Sequence, residues 1–110
     1  MASKKTLLPT PPIWVDFMAR DGKSRVPLDF PGTLADLKRH AMSLNEGMRI
    51  TLYTEDATDV SDPDDLVTVG IVQRDPTSNR WFAVFDWTTL LHVSDLDATD
   101  QRRYESAQAE

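Results

Sequence analysis

Residues 48–87 constrain the fold more than any other stretch, because they read as three strands joined by one long acidic loop and one short turn. Along Met48-Arg49-Ile50-Thr51-Leu52-Tyr53, apolar residues alternate with polar or amphipathic ones. Val67, Val69 and Ile71 repeat the pattern, and Trp81, Ala83, Phe85 and Trp87 line one face of the last run. A period of two places such residues on one side of a pleated strand. The last run also carries Phe82 and Val84 on its other face. A strand apolar on both faces is central, or is covered on its second side. A small barrel, or a sheet with a helix laid on it, satisfies that better than a bare meander.

The flanking segments predict two further strands and a helix. Residues 1–12 are polar and proline-rich and read as a flexible arm. Residues 13–19 alternate as a strand, Asp21-Gly22 turns the chain, and Ser24 to Phe30 returns as a hairpin partner. Pro27 places that second strand at an edge, since it cannot donate to a neighbour. After Pro31-Gly32, Thr33 reads as an N-cap with Asp36 three residues on. Leu34, Leu37 and Ala41 then form the apolar stripe of a short helix ending near residue 43. Residues 55–65 exclude regular structure through Pro63 and repeated Asp. Gly70 inside a strand marks a bulge or a close backbone approach. Asp75 to Asn79 is a turn, and Thr88 to Val93 reads as one helical turn capped by Asp86. The predicted class is mainly β (α+β): a small, partly open antiparallel barrel of five strands. One short helix lies between the second and third strands. A single domain spans 13–95, and 96–110 reads as a disordered acidic tail.

A chain of 110 residues suffices for one core but not for a core plus a large catalytic cleft. There is no cysteine, so disulfides, thiol chemistry and cysteine-held metals are excluded. Residues 1–54 hold eight Lys/Arg against five Asp/Glu, a net +3, while 55–110 hold four against thirteen, a net −9. The second half repels a phosphate backbone, and the cations of the first half are too scattered for a nucleic-acid stripe. No window supplies a membrane span, and the start of the chain is no signal peptide. A cytoplasmic protein is the expectation. The opposite charges of the two halves suit self-association or a basic partner.

Catalytic and metal signatures are sparse. Glu55, Asp56, Asp59, Asp62, Asp64 and Asp65 crowd one loop, but without the ligand spacing of a calcium hand. His40 and His92 are the only histidines, and no third ligand is indicated. Asp86 and His92 make a conceivable hydrolase-like dyad, yet no nucleophile elbow or oxyanion-type glycine run accompanies them. No cofactor and no metal are expected. The aromatics read mostly as core, with Trp14 and Tyr53 as candidates for an exposed binding cluster. Lys38 and Arg39, late in the helix, are candidate cations for an acidic partner or the acidic loop of a second copy.

Over residues 50–87 the order of features resembles a Src-homology-three domain: Leu52-Tyr53, a long acidic loop, Gly70, then a short turn before Trp81. The paired Trp of that family's peptide groove and its closing Pro-x-x-Tyr strand are missing, so polyproline recognition does not carry over. The runs Leu44 to Tyr53, Arg80 to Trp87 and His92 to Asp95 also resemble a group of small bacterial proteins with no assigned activity. The expected function is a non-catalytic protein-binding or regulatory module acting on a protein partner or on itself. The alternative is a small hydrolase-like enzyme using Asp86 and His92.

Overall fold

The computed structural model describes residues 8–55 and 65–108. Its strands are β1 (Pro12–Trp14), β2 (Arg25–Pro27), β3 (Arg49–Thr54), β4 (Leu66–Arg74), β5 (Trp81–Val84) and β6 (Leu91–His92). Its helices are α1 (Pro31–Arg39) and α2 (Ala98–Gln108), and 3-10 turns occupy Phe17–Ala19, Trp87–Thr89 and Val93–Asp95. The strands form one open sheet in the order β1-β3-β4-β5-β2, with β6 added to the start of β4. Only β1 and β3 run parallel. The expected five-stranded barrel with one helix is therefore corrected to a six-stranded open sheet with two helices. No described helix is long and apolar enough to cross a membrane.

The central meander follows its sequence pattern. Thr51 stands opposite Val69, and Val72 opposite Ala83. The turn between β4 and β5 is built by Asp75, whose carboxylate accepts the Thr77 amide at 2.8 Å and whose carbonyl accepts Asn79 N at 2.7 Å. Gly70 is a close approach: a Cβ there would lie 2.7 Å from Leu52 Cδ1. Alternate residues feed two buried layers. Ile50, Leu52, Val72 and Ala83 join Val15, Phe17, Val26, Leu28 and Phe85 in the main core. Tyr53 and Val67 meet Leu8, Leu96 and Tyr104 in a smaller core on the opposite face. Phe82 is also buried, outside both clusters, under the guanidinium groups of Arg25 and Arg80, 4.3 and 5.3 Å from its ring centre. Trp81 packs against the main core, whereas Trp87 leaves the strand in a 3-10 turn and stays 41% exposed.

The outer elements depart from expectation for identifiable reasons. The β1–β2 hairpin does not form. Asp16 accepts the Met18 amide and caps a 3-10 turn, which ends the first extended run early. Asp21 then accepts the amides of Lys23 and Arg25, a local turn that delivers β2 to β5 instead. Pro27 does lie on an edge strand. Helix α1 begins at Pro31, where a missing N–H costs nothing, and Phe30 rather than Thr33 is its N-cap. Its buried residues are Thr33, Asp36 and Leu37, while Leu34 is 52% exposed and Ala41 lies beyond the helix at φ +53°. The tail expected to be disordered carries α2, started by Asp97, whose carboxylate accepts the Asp100 amide at 2.9 Å, and pinned by Tyr104. Of the predicted arm, Leu8 is buried and residues 1–7 lie outside the described residues. So does 56–64 of the acidic loop.

Candidate functional site

Helix α1 docks on the free edge of β1 through polar groups. Strand β1 turns the Trp14 peptide away from β3, leaving one donor and one acceptor to be satisfied. The Trp14 amide donates to Asp36 Oδ2 at 2.9 Å, and the Trp14 carbonyl accepts from Thr33 Oγ1 at 2.7 Å. Thr33 and Asp36 stand three residues apart, on one face of the helix. Arg39 pairs with the other Asp36 oxygen at 3.3 Å.

Above this joint lies a cavity of about 480 Å³, lined by Trp14, Phe30, Gly32, Asp36, Tyr53 and Glu55 among others. The Trp14 ring packs on Gly32, where a Cβ would come within 3.0 Å of it, and stands 6.3 Å from the Phe30 ring. Its indole N–H donates to Glu55 Oε1 at 3.0 Å. Tyr53 meets Tyr104 edge to face at 5.9 Å. Burial raises the Tyr53 phenol above its ordinary range, and the Asp36 and Glu55 carboxylates add to the effect. Tyr104 is pushed further up by burial and by donating to Asp65, so both phenols stay protonated. Gln108 donates to the Tyr104 hydroxyl at 3.1 Å and accepts from Arg39 at 3.4 Å. The site thus offers aromatic walls and two carboxylates. Among the described residues, no group of three or more His, Cys, Asp or Glu is placed to hold a metal ion.

Of the residues singled out from the sequence, Trp14 and Tyr53 come together in this cavity. Arg39 sits beside it on Asp36, and Lys38 is exposed on the last turn of α1. Helix α1 meets an edge strand at β1, at the opposite end of the sheet from the Pro27 edge. Asp86 acts as the expected cap: its Oδ1 accepts the Thr88 amide at 2.9 Å and the Thr88 hydroxyl at 2.7 Å, which holds its carboxyl below the usual range. His92 lies in β6, opposite Leu66. Sequence reasoning missed Phe30, Asp36 and Glu55 as wall residues. The available signal was Pro31-Gly32, which starts a helix beside a bulky residue and leaves room for another ring to lie on it. A larger cavity, about 580 Å³, runs between Leu8–Pro12 and α2, with Arg102 and Arg103 on its rim. No family model, curated protein or solved structure matches the chain.

Proposed function

We propose that the protein is a non-catalytic binding module and that the groove between α1, β1 and β3 is its contact surface for a protein partner. The observation that carries this reading is the convergence of Trp14, Phe30 and Tyr53 on one cavity beside Asp36 and Glu55. Rigid aromatic walls with a few fixed polar groups are the composition of protein recognition sites. The walls are held in advance, by the Thr33 and Asp36 bonds to the Trp14 peptide and by the Trp14 indole bond to Glu55. A prearranged surface loses little freedom on binding. The engagement of Asp86 by Thr88 favours a capping role over acid–base work.

A displayed library of short extended peptides tests the reading. Enriched peptides should lose binding to Trp14→Ala protein whose far-UV dichroism and urea midpoint show that it remains folded. Enrichment of peptides indifferent to Trp14 would move the contact surface elsewhere. A hydrolytic turnover abolished by His92→Ala in folded protein would replace the binding reading with an enzyme.

A further inference from the structure

We infer that the groove's occupant is a cationic side chain, an arginine or lysine carried on an extended segment of a partner protein. This rests on the groove being the contact surface. The groove pairs aromatic rings with carboxylates: Trp14 donates its indole proton to Glu55, which fixes the ring and the anion side by side. A guanidinium recognises that combination, because it stacks on an aromatic face while its N–H groups bond a carboxylate. The two acids play different parts. Asp36 already accepts the Trp14 amide and Arg39 on its two oxygens, whereas Glu55 is exposed at the mouth. An acidic occupant would meet repulsion from the Glu55 carboxylate, and a neutral apolar one would desolvate it without neutralising its charge.

The test uses three synthetic peptides of one extended backbone, bearing arginine, its uncharged isostere citrulline, or glutamate. Binding is followed by the Trp14 indole N–H resonance. The arginine peptide should shift it saturably, and should bind about tenfold more tightly than the citrulline peptide, the scale of one charge contact. Glu55→Gln, a change at an exposed position, should erase that difference, and added salt should narrow it. Equal affinity for arginine and citrulline peptides, or tighter binding of the glutamate peptide, would overturn the cationic occupant while leaving the groove as the surface. Arginine-peptide binding that shifts other resonances and persists in folded Trp14→Ala protein would overturn both.

Discussion

Gly70 shows how little room the central sheet leaves. Besides Leu52 Cδ1, a Cβ at this position would lie 3.2 Å from the Ala83 Cβ and 3.3 Å from the Val84 carbonyl oxygen. Leu52 can change rotamer, but β5 cannot retreat without stretching its ladder to β4. Gly70→Ala should therefore destabilise the protein by about 1–3 kcal/mol, as overpacking does, despite alanine's better backbone entropy. A urea titration measures this, and an unchanged midpoint would mean that β5 yields. Phe85 is the opposite case, a ring buried against Phe17 at 5.1 Å. Phe85→Ala should cost about 3–5 kcal/mol by the same titration, through lost burial and the void left behind.

At the scale of elements, α1 is tied to the sheet edge by the Thr33 and Asp36 hydrogen bonds to the Trp14 peptide. Thr33→Val keeps the shape of the side chain and removes the donor to the Trp14 carbonyl. It should cost about 1–3 kcal/mol, the penalty of an orphaned buried acceptor, read as a lowered melting temperature. A valine variant as stable as the parent would mean that water replaces the hydroxyl. Helix α2 is held differently, by Tyr104 in the smaller core. Tyr104→Ala should bring α2 amides to fast hydrogen exchange while β3, β4 and β5 stay protected. These two attachments explain what was legible in the sequence. The meander could be read because apolar alternation is a direct consequence of burial on a pleated face. Helix α1 is legible, but only Leu37 of its apolar stripe faces inward: Leu34 and Ala41 fit the period, whereas a strand edge recruits donors and acceptors, here Thr33 and Asp36. Helix α2 is hidden because its buried residues are one tyrosine, Tyr104, and one aspartate, Asp100, a pattern that apolar periodicity does not register. Trp14 and Tyr53 were picked out as aromatics, but their meeting depends on the parallel pairing of β1 with β3, which no local pattern encodes.

Across the whole molecule, the acidic groups are not all idle surface charge. Asp29 forms a two-pronged pair with Arg80 at 2.8 and 2.9 Å, and Asp21 and Asp75 hold Arg25. Arg80 lowers the Asp29 carboxyl below its ordinary 3.8, Arg25 does the same to Asp21, and the Thr77 amide is the chief cause for Asp75. Unfolding returns each carboxyl to its ordinary value, so the unfolded chain takes up protons first as pH falls. The stabilisation is full above about pH 4 and is lost as pH drops through the lower folded values. Urea midpoints should thus decline on acidification below that point, and less steeply in Asp29→Asn. An identical acid slope in that variant would show that the Asp29–Arg80 pair adds nothing to the folded state. The parallel joint between β1 and β3 carries a kinetic consequence. Its two strands are separated by β2 and α1, and the Leu8 amide reaches Asp100 across 92 residues. Closing loops that long costs more chain entropy than pairing β3, β4 and β5, which follow one another in sequence. The walls of the groove, drawn from β1, α1 and β3, therefore depend on the long-range joints of the fold. A ligand seated there binds the finished molecule and not its partly folded forms. It should raise the melting temperature with its concentration and retard exchange at the β1–α1 seam, leaving the meander's own openings unchanged.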